Sequence, residues 1–126
     1  MAISVVVTDS SVDIEVSGAD RFWSLSRGRS IPIDEIVSAR VAPRAEVIRR
    51  LRWRIGGTAF PRVIYAGHFL IRPEGDERGL RAWVSIRRGP ELLEIILRGR
   101  RPRLIALERD DAHDLAWFIG ERLGRG

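Results

Sequence analysis

The sequence predicts a mainly β chain of the α+β class, in which short strands precede one C-terminal helix. Two observations carry this. Branched apolar residues alternate at period two from Ile3 to Leu107, with turn residues between the runs every ten or so positions. The period then changes, and Leu115, Phe118, Ile119 and Leu123 fall at i, i+3, i+4 and i+8, one apolar stripe on a helix.

The elements follow in order. Ile3, Val5 and Val7 alternate, Asp9-Ser10-Ser11 offers a turn, and Val12, Ile14 and Val16 alternate with Asp13 and Glu15. Branched residues on one side and acids on the other make a half-buried strand, and the two runs make a hairpin candidate. Gly18 to Ser26 carries Phe22, Trp23 and Leu25 and is compatible with a helical turn or a strand continuation. Ile31-Pro32-Ile33 reads as a strand end or sheet edge, because proline has no amide to donate. Val37, Ala39 and Val41 form a further strand, closed by Pro43. Arg44 to Trp53 has Val47, Ile48 and Leu51 on one face and suits a helix. Ile55 to Pro61 is expected to be a loop, since its glycines and proline oppose regular structure.

The second half reads as four more strands. They lie in Tyr65 to Arg72, around Ala82-Val84-Ile86, around Leu93-Ile95-Leu97 and at Leu104-Ile105-Ala106-Leu107. Polar turns separate them at Pro73 to Gly79, Arg88-Gly89-Pro90 and Gly99 to Pro102. This spacing is that of an antiparallel meander. The helix is expected at about 110–123, with Asp110 as its N-cap, Asp111 favourable at its positive end, and Gly124 and Gly126 stopping it. Seven or eight such strands curl or split into two layers, and a lone helix with one apolar stripe must cover an open end or seam. A small barrel or an orthogonal sandwich plugged by the helix satisfies both conditions.

Composition bounds the function. The 126 residues suit one domain, taken as 1–126, with 44% apolar and 31% charged residues, an ordinary globular balance. No cysteine is present, which removes disulfides, thiol catalysis and cysteine-ligated metals. All 22 basic residues are arginine, so Schiff-base lysines and the P-loop amine are absent too. Against 17 acids they leave a net charge of +5, modest for so charged a chain. No apolar run approaches the roughly 18 residues of a membrane span. Residues Met1 to Val7 lack the basic start and cleavage site of a secretory signal, and a cytoplasmic location is expected.

The chain resembles bacterial pleckstrin-homology-like (PH-like) domains of the stand-alone actinobacterial type. The residues that carry the likeness are Ile31-Pro32-Ile33-Asp34-Glu35-Ile36, the stretch Gly57…Pro61…Ala66-Gly67-His68-Phe69, Leu93 to Leu97, and Leu104 to Asp111 entering the last helix. The likeness spans roughly residues 3 to 123. It implies a PH-like barrel of two near-orthogonal antiparallel sheets, seven or so strands, capped by the C-terminal amphipathic helix. Phosphoinositide-binding relatives carry a basic motif in the first hairpin loop. Here that loop, Thr8-Asp9-Ser10-Ser11, has no basic residue, which argues against that ligand. Some bacterial members form homo-oligomers.

Three groups of side chains are candidates for function. Arg98, Arg100, Arg101 and Arg103 crowd one turn and suit a phosphate, on a lipid or a nucleic acid; a solvated turn accounts for them equally. Arg49, Arg50, Arg52 and Arg54 surround Trp53, an arrangement for stacking on bases or lying at a membrane surface, or simply the wet face of a helix. Trp53, Trp83 and Trp117 are interface candidates, weighed against packing beneath neighbouring loops. His68 and His113 lack partners at metal spacing, and Asp110, Asp111 and Asp114 are explained by capping. No nucleophile–base set is present, and Gly56-Gly57 is not a P-loop. The expectation is a non-enzyme without cofactor or metal. It acts by protein–protein contact or self-association; the alternative is electrostatic binding of anionic lipid or nucleic acid.

Overall fold

A computed structural model describes residues 3–16, 28–60, 64–71, 79–86, 89–99 and 102–125. The described residues are mainly β, with two sheets and two α-helices among them. The strands are β1 (Ile3–Val7), β2 (Ser11–Val16), β3 (Gly28–Pro32), β4 (Ile36–Pro43), β5 (Leu51–Phe60), β6 (Ile64–Ile71), β7 (Arg81–Ile86), β8 (Glu91–Leu97) and β9 (Leu104–Leu107). A 3-10 turn, Ile33–Glu35, leads into β4. Helix α1 is Arg44–Arg50 and helix α2 is Ala112–Arg125.

β1, β2 and β3 form a small antiparallel sheet. Its first turn is built by Thr8, whose Oγ1 accepts from the Ser10 and Ser11 amides at 3.3 and 3.0 Å. Val12, Ile14 and Ile31 are buried on one face. On β2 and β3 the opposite face is polar: the Asp13 carboxylate accepts from the hydroxyls of Ser30 at 2.5 Å and Ser11 at 2.9 Å. These two bonds, Ser30 first, hold Asp13 below the usual carboxylate range.

The large sheet has the order β4-β8-β9-β7-β6-β5. It departs from the expected meander, because β7 and β9 pair in parallel, Ala82 opposite Leu104 and Ser85 opposite Leu107. The chain leaves β7, passes the end of β9 and forms β8; β9 then returns into the gap. Gly89 in this crossing donates its amide to Glu108 Oε1 at 2.6 Å, and the Glu108 amide donates to the Ser85 carbonyl. A four-residue strand flanked on both sides is buried on both faces, which is why Leu104 to Leu107 is apolar throughout.

Both faces of the central strands β7, β8 and β9 are covered. Trp83, Leu93, Ile95, Ile105 and Leu107 face the small sheet and α2. Ala82, Val84, Leu92, Leu104 and Ala106 face the other way, and pack with Phe69, Ile71 and α1 residue Val47. Helix α1 joins β4 to β5, which are the two edges of the sheet. Six strands laid flat put those edges about 24 Å apart, whereas a seven-residue helix reaches only about 10 Å. The sheet therefore curls toward α1, and Val47 and Ile48 fill its concave side. β4 and β5 are not hydrogen-bonded, so the expected barrel is not closed.

Other expectations shift. The strands among the described residues number nine. The expected loop at Ile55 to Pro61 is strand through Phe60; β5 pairs with β6, with irregularities between Leu51 and Trp53 and between Arg54 and Gly56. The helix expected to Trp53 stops at Arg50. Helix α2 starts at Ala112, and Asp111 rather than Asp110 is the cap residue, its carbonyl taking the Leu115 amide at 2.9 Å. The Asp111 carboxylate turns to Arg109, which bonds it through Nε at 2.9 Å and Nη2 at 3.1 Å. Of Gly18 to Ser26 nothing is described, since it lies within the undescribed residues.

Candidate functional site

Helix α2 lies against β4 and β8 beside β1, burying Ala112, Leu115 and Ile119. Both of its ends are tied to the small sheet. Arg109 Nη1 donates to the Ile3 carbonyl. Arg122 Nε donates to the Thr8 carbonyl at 3.3 Å and stands 3.4 Å from Asp9. The docked stripe fixes what remains outside. Trp117 is 61% exposed and Phe118 45% exposed, with their rings edge to face at 5.2 Å. Gly120 and Gly124 follow Trp117 one and two turns along the same face. With Glu121 they border a shallow recess of about 410 Å³. Trp117 is thus a ring standing beside a notch, on a rigid, well-anchored helix.

Trp83 is corrected as an interface candidate. It is fully buried, because the sheet face it occupies is covered by the small sheet rather than by water. Trp53 lies in β5, opposite Leu70 in register; its side chain, like those of Arg52 and Arg54, is outside the description, as are Arg100 and Arg101 altogether.

The remaining expected arginines have definite surroundings. Arg50 reaches inward from α1, with Nη1 3.8 Å from Glu94 Oε2. Glu94, on β8, is 1% exposed, and its other oxygen accepts from Arg40 Nε at 2.9 Å. Arg40 also donates to Glu46 of α1 at 2.5 Å. Four charges from β4, β8 and α1 thus pin the helix across the curled sheet. The bonds to Glu46 and then Glu94 raise Arg40 above its ordinary value, and Arg40 lowers Glu46. Arg49 is exposed, its Nε bonded to the Ala45 carbonyl of its own helix. Arg98 Nε donates to the Asp34 carbonyl at 2.9 Å and Arg103 Nε to the Gly99 carbonyl at 2.7 Å. The two groups are not brought into contact among the described residues.

The structure adds a third set of arginines that the sequence reading passed over. Arg29 on β3 lies two residues before buried Ile31, so it faces the large sheet, with its guanidinium 5.5 Å from the centre of the Trp83 ring. Burial pulls its pKa below the ordinary arginine value. Arg81 lies two residues before Trp83, on the same face of β7. The Nε atoms of Arg29 and Arg81 and Nε1 of Trp83 are all shut off from water without a hydrogen-bond acceptor. The same alternation that marks buried apolar residues marks these arginines.

Among the described residues no three His, Asp or Glu side chains gather as metal ligands, and no helix is long and apolar enough to cross a membrane. Comparison with family models, with curated proteins and with solved structures finds no match for this chain.

Proposed function

We propose that the chain is a non-enzymatic, cytoplasmic interaction module of PH-like type that self-associates through the outer face of α2. The two β layers and the covering terminal helix support the PH-like reading; the parallel β7–β9 pair departs from the all-antiparallel layout of that family. The observation that carries the function is the exposed Trp117–Phe118 pair beside the Gly120–Gly124 notch. An indole held in water on a rigid helix gains by burial, and glycines let a second backbone come close.

The face is self-complementary. In an antiparallel pair of α2 helices, Trp117 of each copy falls between Gly120 and Gly124 of the other. The same register sets acidic position 114 opposite basic position 125, eleven residues and about three turns apart on one face. Opposed helix dipoles favour this orientation as well. The exposed rings cover far less than the roughly 800 Å² per partner of a standard interface, so the dimer is expected to be weak.

A second reading, electrostatic binding through Arg49, Arg50 and the Arg98–Arg103 turn, draws less support. Arg50 faces a buried carboxylate, and Arg98 and Arg103 are engaged with backbone carbonyls.

Sedimentation equilibrium from about 10 µM to about 1 mM tests the proposal. A monomer–dimer equilibrium that Trp117→Ser abolishes is the expected result. A native chain that stays monomeric throughout refutes self-association. A native dimer untouched by Trp117→Ser refutes the assigned face.

A further inference from the structure

A cleft of about 430 Å³ opens where the first turn of the small sheet, the 3-10 turn and the last part of α2 meet. Pro32, Ile33, Ile36 and Leu123 wall it, and Asp34 and Arg98 line it with them. Residues one turn apart in a 3-10 turn stack on one side, which is why Ile33 and Ile36 share the cleft. The walls are tied to one another. The Ile33 amide donates to the Ser10 carbonyl at 2.9 Å and the Arg98 amide to the Glu35 carbonyl at 2.8 Å. Arg122 of α2 donates to the Thr8 carbonyl of the same small-sheet turn at 3.3 Å. The cleft is therefore formed in advance of any ligand, as small-molecule sites usually are.

Two opposite charges line this cleft without neutralising each other. Arg98 spends its Nε on the Asp34 carbonyl at 2.9 Å, which holds the guanidinium in place. Its Nη groups have no acceptor among the described residues, and the Asp34 carboxylate has no donor among them. No ion pair joins the two side chains, or either of them to another described charge. A simple anion would suit Arg98 and be opposed by Asp34; a simple cation would meet the reverse. A small molecule that carries both charges beside an apolar group satisfies the guanidinium, the carboxylate and the apolar walls together. We propose that the cleft binds a free α-amino acid with an apolar side chain. Its carboxylate lies on Arg98, its ammonium on Asp34, and its side chain against Ile33, Ile36 and Leu123. The guanidinium fork matches a carboxylate in geometry as well as charge. Ligand clefts run from roughly 300 to 1,000 Å³, so this one suits a single amino acid rather than a longer peptide. The cleft shares no described lining residue with the Trp117 recess, and either proposal stands if the other fails.

The experiment is a methyl NMR titration of the full chain with L-leucine and with L-phenylalanine. The Ile36 and Leu123 methyl resonances are expected to shift and to saturate below about 10 mM ligand, while those of Ile105, enclosed between the layers, stay in place. N-acetyl-L-leucine lacks the ammonium and L-leucinamide lacks the carboxylate; each is expected to bind at least about tenfold more weakly than leucine. Arg98→Gln and Asp34→Asn are each expected to weaken leucine by a similar factor, and Trp117→Ser to leave it unchanged. Absence of saturation by both amino acids overturns the proposal. Equal binding of leucine and either single-charge analogue overturns it too, as does native affinity in Arg98→Gln or Asp34→Asn. Should a variant not fold, the comparison of leucine with its two analogues on the native chain decides.

Discussion

Glu94 is where the fold concentrates its electrostatics, and Glu94→Ala tests what holds α1 against the sheet. The native carboxylate is 1% exposed and receives Arg40 at 2.9 Å and Arg50 at 3.8 Å. The charged hydrogen bond from Arg40 contributes about 1.5–3 kcal/mol. The attraction of Arg50 is about 4 kcal/mol at an effective dielectric constant of 20, before desolvation. Burying the carboxylate costs several kcal/mol, so most of that Coulomb gain is offset. The arginine side chains are 47% and 26% exposed, so water re-solvates part of the charge left behind. The net loss is expected to be about 2–3 kcal/mol, a drop in Tm of roughly 10 °C for a domain of this size. Urea unfolding and calorimetry measure it. A double-mutant cycle with Arg50→Gln isolates the link to α1, with a coupling above about 0.5 kcal/mol expected. A Glu94→Ala protein within about 0.5 kcal/mol of native stability refutes the claim that this carboxylate anchors the helix.

Further outcomes follow from the same contacts. Trp83→Ala removes a fully buried indole between the layers and is expected to cost about 3–5 kcal/mol, while Trp117→Ser leaves Tm within about 2 °C of native in the same scan. Gly89→Ala places a methyl 2.8 Å from Glu108 Cδ and displaces the carboxylate that accepts the Gly89 amide. A loss of about 1 kcal/mol is expected by urea unfolding, with Glu108→Gln giving a similar loss. Asp111 is held below its ordinary 3.8 chiefly by the Arg109 hydrogen bond, and Glu46 below 4.5 by Arg40. The unfolded chain therefore binds more protons, so this stabilisation is complete above about pH 4.5 and is lost as pH falls through the folded values. Unfolding followed from pH 6 to pH 2 should show Asp111→Asn with a shallower acid slope than native.

β1, β2, β4 and β6 to β9 were legible as short apolar runs between turn residues, and α2 because its stripe is a local pattern; β5 was not, since the glycines of Ile55 to Phe60 read as a loop. The order of the strands was not legible. Whether β9 returns beside β7 or beyond β8 depends on β8 pairing with β4 some fifty residues earlier, and no local pattern encodes that choice. The helix–strand boundary at Leu51 was hidden because Val47, Ile48 and Leu51 serve one concave core from both sides of it. Trp83 was misread for a related reason. Alternation shows which side chains share a face, and only the layer order shows that both faces of β7 are covered. Arg29 and Arg81 were legible in principle, each two residues before a buried neighbour on its strand. They carry no apolar signal, and arginine is mostly a surface residue. Trp117 was found because the helical wheel sets it apart from Leu115, Phe118 and Ile119; Phe118, read into that covered stripe, lies at its edge and is instead exposed.

Self-association is proposed to run through the outer face of α2. Recording the Trp117 indole N–H resonance from about 10 µM to about 1 mM protein tests it directly. The account predicts a progressive shift of that resonance while the enclosed Trp83 indole stays fixed. A Trp117 resonance that keeps its position across the range contradicts it.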